Sequence, residues 1–299
     1  MEGTLMEIDY DYLVGISKDA VLYTTRKTTN ILDGGYSSLY MGKSLEFHDL
    51  KDYTPGDDIT SIDWKCSSRT DSILVRRYIA EKKHSVLIIG DTGAKMDADT
   101  PKGDHKSDIA LMTTGVLDYL LGRQGADVGF ACSGKKGQLY TPFGSGGINV
   151  EKLLHTYGEA IFEDPESDMN SLIMDSLRAF ITRRMIIFVI TDLSGLKTVE
   201  SETLLRMTDK NDVYFICIDD APVTGRRVYD RVGENYVDGF LSGSRALKKA
   251  EERERNSILE RFKLDALRNR IVFERISRQS EVVDSVINMF ERGHSGIYG

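Results

Sequence analysis

The sequence predicts an α/β fold: a doubly wound, mainly parallel sheet carrying a small N-terminal arm. Three observations predict it. Short, nearly continuous apolar runs at 84–91 and Met185–Thr191 read as strands buried on both faces. These runs stop at acidic residues, Asp91 and Asp192, and Val213–Ile218 likewise runs into Asp219 and Asp220. Segments of helical period lie between them, and strand–helix alternation is the pattern of a parallel sheet covered by helices. Such folds bind ligands in the crevice at the carboxyl ends of the strands, so Asp91, Asp192 and Asp219 are candidates for one rim.

Residues 1–80 read as the arm. A weak helical pattern, Tyr10–Leu32, precedes Gly34-Gly35-Tyr36 and a dense polar and aromatic stretch from Gly42 to Tyr78. Within it Tyr53-Thr54-Pro55-Gly56-Asp57 is a turn signal. Residues 81–299 read as the sheet domain. After the first buried run, Ile109, Met112, Val116, Leu117 and Leu120 share a helix face. Asp127–Cys132 is the next strand, with Gln138–Phe143 as an edge strand in hairpin with it. Helices are expected at Asn149–Phe162, Ser171–Ile181 and Val199–Lys210, and 221–245 reads as an irregular excursion. Arg245–Arg268 is a charged helix with an apolar stripe of Leu247, Ile258, Phe262 and Leu267. A strand, Ile271–Ile276, and a helix, Glu281–Arg292, complete the pattern.

Composition narrows the function classes. The 299 residues carry 39 basic and 47 acidic side chains, a net charge of −8 with no strong basic block, which argues against a nucleic-acid footprint. The longest apolar stretch, Met185–Ile190, is far short of the roughly 20 residues a spanning helix needs, so no membrane insertion is expected. Met1–Tyr10 carries Glu2, Glu7 and Asp9 and does not read as a signal peptide. Cys66, Cys132 and Cys217 are odd in number and far apart, which suggests reduced thiols in a cytoplasmic protein.

Enzyme signatures are mostly missing. The five histidines show no pair at metal-ligand spacing, and neither a His-Glu-x-x-His nor a Gly-x-Ser-x-Gly motif occurs. Gly129 to Lys136 approximates a phosphate-binding loop. Lys136 stands where a Mg²⁺-binding hydroxyl belongs, and an extended stretch follows where that loop requires a helix.

The most informative stretch is Glu46 to Lys95, read with the residues from Gly35 that lead into it. It contains Gly42-Lys-Ser-Leu-Glu46-Phe47, Asp49-Leu-Lys-Asp-Tyr53, Pro55-Gly56-Asp57-Asp58, Ile62-Asp63-Trp64-Lys65 and Ser68-Arg69-Thr70, followed by Glu81 and Asp91. This constellation resembles the DUF58 family, proteins with a von Willebrand factor A-like domain often encoded beside MoxR-type AAA+ ATPases. The resemblance extends to the final helix and Phe290-Glu-Arg292, and it is to the short form, without membrane helices. Lys51 and Thr60 stand where the family usually has Arg, and Ser44 where it usually has Gly. A lysine cannot reproduce the bidentate fork of arginine, so any ion pair at Lys51 is made differently.

Type A domains can hold a divalent cation at the strand ends through Asp-x-Ser-x-Ser, a threonine on a second loop and an aspartate on a third. The resemblance places these positions at Asp91, Gly93 and Lys95, at Asn170, and at Asp192. Both serine hydroxyls are gone and a cationic side chain is present, a poor ligand set for Mg²⁺. No cofactor is therefore expected, with Mg²⁺ disfavoured. Lys95 either occupies or neighbours the cation position and neutralises Asp91 and Asp192, or points to solvent. The signature residues Glu46, Asp57, Asp58, Asp63, Trp64 and Arg69 also have two readings. They are turn and cap residues with Trp64 as a packing anchor, or they form a docking surface. The resemblance implies a non-enzymatic adaptor or partner of a MoxR-type ATPase in protein assembly or remodelling. The alternative is a divalent-metal phosphoesterase or nucleotide-binding protein using Asp91, Asp192 and Asp219.

Overall fold

The computed structural model describes residues 46–57, 59–70, 72–79, 84–161, 168–180, 184–222, 224, 229–230, 235–236 and 244–295. The expected helix Tyr10–Leu32, Asp58 and most of the excursion lie outside them.

The described part of the arm is a β-hairpin that the sequence reading left as turns. Strand β1 (Glu46–Asp52) pairs antiparallel with β2 (Leu74–Ile79), with an irregularity between Phe47 and Asp49. Between them lie a 3-10 turn at Ile59–Ser61 and a one-turn helix α1 (Trp64–Ser67). The Ile62–Val75 bridge and the Asp63 N–H donating to Leu74 O fasten that insert to β2.

The main sheet begins with β3 (Ser85–Gly90), which leads into α2 (Lys106–Arg123). The hairpin β4 (Asp127–Gly134) and β5 (Gly137–Gly144) follows, then α3 (Gly147–Ile161) and α4 (Met169–Ala179). Strand β6 (Ile186–Asp192) runs directly into α5 (Leu193–Thr198), a helix the sequence reading missed, and then α6 (Ser201–Thr208). Next come β7 (Asp212–Ile218) and the two-residue ladder of β8 (Tyr229–Asp230) with β9 (Asn235–Tyr236). Helix α7 (Arg245–Arg268), β10 (Val272–Ile276) and α8 (Val282–Ser295) close the chain.

The six strands stand in the order β10-β7-β6-β3-β4-β5. All neighbours are parallel except the β4–β5 hairpin, as expected for an edge hairpin. Alternation within each strand sorts the core into two layers. Val86 and Ile88 of β3 pack with α2, α3 and α8, whereas Leu87 and Ile89 pack with α4–α7. This is the doubly wound α/β architecture.

The apolar stripe of α7 differs from expectation. The buried stripe of α7 is Ile258, Leu259, Phe262 and Ala266, while Leu247 and Leu267 are exposed. Ala266 continues the i, i+4, i+8 row from Ile258 and Phe262, and Leu267 lies a further 100° around the helix. The phosphate-loop look-alike is strand β4 up to Gly134, with Lys135 and Lys136 exposed in the hairpin turn.

Candidate functional site at the strand ends

Chain order makes β3 the first strand of the sheet and β6 its neighbour on the other side, so the winding reverses between them. Asp91 follows β3 and Asp192 ends β6, which places both at the switch point where such sheets carry their sites.

Asp91 is 4% exposed and each of its oxygens has a donor: Gly93 N–H reaches Oδ1 at 2.9 Å and the Thr191 hydroxyl reaches Oδ2 at 2.7 Å. Tyr157, fully buried on α3, donates to the Asp91 carbonyl at 2.9 Å and fixes the end of β3. Gly90 is glycine for the same reason, because a Cβ there would lie 2.6 Å from the Tyr157 ring. Gly195 is tighter still: a Cβ would stand 1.9 Å from Thr191 Oγ1 and 2.5 Å from Asp91 Oδ2. Burial, and then the charge of Asp192, push the Asp91 carboxyl up to about 6.

Asp192 caps helix α5. Its Oδ1 accepts from the N–H groups of Ser194 and Gly195 at 2.8 and 3.0 Å, while Oδ2 accepts from Lys106 Nζ at 2.7 Å. Lys106 is 0% exposed, and its ammonium also donates to Asp220 Oδ1. Asp220 Oδ2 accepts from the Leu193 N–H at 3.2 Å. Burial would draw the lysine pKa down, but the two carboxylates more than offset this and hold it above the ordinary lysine value. Burial also opposes ionisation of Asp192; Lys106 and the Gly195 N–H outweigh it and hold that carboxyl below its usual range. The turn carrying Asp220 is clamped by Arg255 of α7, whose guanidinium donates to the carbonyls of Asp220 and Ala221 at 2.6 Å each.

The sequence-derived residues divide accordingly. Asp91 and Asp192 meet, as expected, and Gly93 supports Asp91 through its backbone. Lys95 does not occupy the place between the acids: it is exposed and donates to Ser194 Oγ at 2.7 Å on the rim. The buried cation of the site is Lys106, which joins Asp192 to Asp220. Asn170 is not gathered to the acids through its amide oxygen, which accepts from Glu200 N–H and Thr203 Oγ1 and ties α4 to α6. Asp219 is turned away and held by Arg275 and Ser277, so the strand-end acid of β7 is Asp220. Successive residues leaving a strand point to opposite sides, which separates the two aspartates.

Lys106, Thr191, Gly195 and Asp220 were missed. One local signal existed for Lys106. It opens α2, and a cation in the first turn opposes the helix dipole, so it needs a compensating anion.

The donor set does not fit a divalent ion. Mg²⁺ needs near-octahedral oxygen ligands. Here every oxygen of Asp91, Asp192 and Asp220 already accepts from a group of the chain, and one of those groups is an ammonium.

In the arm, Asp63 is the N-cap of α1, accepting from the Lys65 and Cys66 N–H groups at 3.1 and 3.0 Å. Asp57 closes its turn, accepting from Thr54 N–H and Oγ1 at 2.9 and 2.8 Å and from Lys51 Nζ at 2.7 Å. The Lys51 ammonium, followed by Thr54, lowers the Asp57 carboxyl to about 2. The turn-and-cap reading therefore holds for both aspartates, but the packing-anchor reading of Trp64 does not, because its indole is 65% exposed. Arg69 is exposed as well, and Glu46 opens β1.

The uncharacterized proteins Rv1480 of Mycobacterium tuberculosis and Mb1516 of Mycobacterium bovis are each 25% identical to the chain over 191 residues. The match covers 63% of this chain and 60% of theirs, so the chain spans less than two thirds of the length of these relatives. Among solved structures, BatB from Bacteroides thetaiotaomicron is similar with a TM-score of 0.43 and 13% identity, covering 71% of this chain and 99% of that one. The SpRpn10 VWA domain is similar with a TM-score of 0.41 and 12% identity, covering 69% and 94%. The profile of the family described as "Protein of unknown function DUF58" matches residues 49–222, from the arm through the Asp220 turn, and the chain belongs to that family.

Proposed function

We propose that this chain is a non-enzymatic, cytoplasmic protein-interaction module, an adaptor or partner of a MoxR-type AAA+ ATPase in protein assembly or remodelling. The observation that carries the reading is Trp64. An exposed indole is a favoured anchor of protein interfaces, and Trp64 is raised on a helix whose cap, Asp63, is 8% exposed. Ile59 and Ile73 of the same insert are 64% and 48% exposed. Among the described residues of this insert, the aspartates Asp57 and Asp63 are engaged by the arm itself, whereas Lys65 and Arg69 are exposed and make no ion pair. An apolar anchor flanked by available cations suits an acidic, partly apolar segment of a partner. At the strand ends the carboxylates are engaged by donors of the chain, which supports a structural role for them and not a catalytic one.

The test is association of the purified chain with a MoxR-type ATPase from the same organism, read by co-purification and by ATP turnover. The expected result is a complex with altered turnover. Trp64→Ala should weaken it by about tenfold or more, as loss of an interface hot spot does, without lowering Tm. Absence of any complex overturns the reading. Phosphate-ester hydrolysis with Mn²⁺ that Asp192→Asn abolishes would establish the enzymatic alternative.

A further inference from the structure

We infer that the Lys106 ammonium is the resident cation of the strand-end acids, joining Asp192 to Asp220, so that this site works without metal. Its Nζ donates to Asp192 Oδ2 at 2.7 Å and to Asp220 Oδ1, and the side chain is wholly shielded from water. Both ends of the pairing are fixed by other contacts. Asp192 is held by the first turn of α5, and Asp220 by the Leu193 N–H and the Arg255 clamp on its backbone.

The surroundings close the place to an added ion. The two serine positions of the metal motif are Gly93, which contributes an N–H to Asp91, and Lys95, which bonds Ser194 outside. Thr191, a hydroxyl that could have faced a metal, donates to Asp91 and lies against Gly195. A metal entering here would have to displace a buried ammonium and break several of these bonds at once. A lysine in the first turn of α2 is unfavourable by itself, so its presence there is explained by the acids it joins. This assignment is independent of whether an ATPase binds the arm.

The experiment compares the native chain, Lys106→Met and Lys106→Met/Asp192→Asn by thermal unfolding in EDTA and in Mn²⁺, and by Mn²⁺ titration followed by electron paramagnetic resonance. The native chain should show the same Tm in both buffers and no micromolar Mn²⁺ binding. Lys106→Met should be less stable in EDTA and recover stability with Mn²⁺, binding it about tenfold or more tighter than the native chain, because buried carboxylates then lack a cation. Asp192→Asn in that background should remove the gain. A folded Lys106→Met that ignores Mn²⁺ overturns the inference. So does micromolar Mn²⁺ binding by the native chain that Asp192→Asn abolishes, and that titration decides the matter even where the methionine variant does not fold.

Discussion

Thr191 donates its hydroxyl to Asp91 across 100 residues of chain, at 2.7 Å, beneath a glycine that has no room for a methyl group. Two substitutions separate the space from the hydrogen bond. Gly195→Ala should lower stability by about 1–3 kcal/mol or more, because its Cβ overlaps Thr191 Oγ1 and the site must distort. Thr191→Val keeps the volume and removes the donor, leaving Asp91 Oδ2 unsatisfied in a buried place at about 1–3 kcal/mol. Urea unfolding of both variants checks this; native-like stability of Gly195→Ala would show that the backbone yields there.

A second buried acid sets a pH dependence. Asp118 of α2 is 1% exposed and accepts from Asn149 Nδ2 on α3, at 3.3 and 3.1 Å to its two oxygens. Burial raises its pKa from 3.8 to about 7, and the Asn149 bond only partly opposes this. The folded chain thus holds the proton more tightly than the unfolded one. Its contribution is complete below about pH 4 and is lost as pH rises through about 7, roughly 4 kcal/mol in all. Asp91 acts with the same sign between 3.8 and about 6. Asp118→Asn should flatten the stability profile between pH 5 and 8, approximately, and stabilise the chain at the alkaline end. An unchanged slope in that variant would count against Asp118 as its source.

The clamp on the Asp220 turn depends on guanidinium geometry. Arg255 bonds two successive carbonyls with two nitrogens, while Glu251 lies 3.4 Å from its Nε and also accepts from the Thr224 N–H. Arg255→Lys keeps the charge but cannot fork, so it should lose most of what Arg255→Ala loses, about 1–3 kcal/mol. It should also raise hydrogen exchange at residues 219–221. Equal protection in Arg255→Lys and the native chain would show that charge alone suffices.

Asp63→Ala removes the cap of α1 and should destabilise the arm by about 0.5–2 kcal/mol. It should also weaken partner binding along with Trp64→Ala, whereas Trp64→Ala alone should leave the arm intact. Near-ultraviolet circular dichroism of the single tryptophan reports the loss of order in Asp63→Ala.

The sheet was legible because β3, β6 and β7 are buried on both faces and read as unbroken apolar runs. The arm's hairpin was not. His48, Asp49, Lys51, Arg76 and Arg77 dilute its strand signal, and the turn residues between the strands dominate the composition. Asp91 and Asp192 were legible as strand ends, but Lys106 meets Asp192 86 positions away, and nothing local names that partner. The choice of Asp219 over Asp220 failed by one position, and one position reverses the direction of a side chain.

The Lys106 pairing has a consequence for how the chain assembles. Its two carboxylates come from the ends of β6 and β7, which join the sheet through long crossovers, so the ammonium gains both anions only once these strands stand side by side. A sheet with β7 misplaced would leave this lysine enclosed with too little negative charge, a costly arrangement. The ion pair therefore penalises wrong strand orders as well as stabilising the right one. Because it completes late, Lys106→Met should accelerate unfolding far more than it slows refolding.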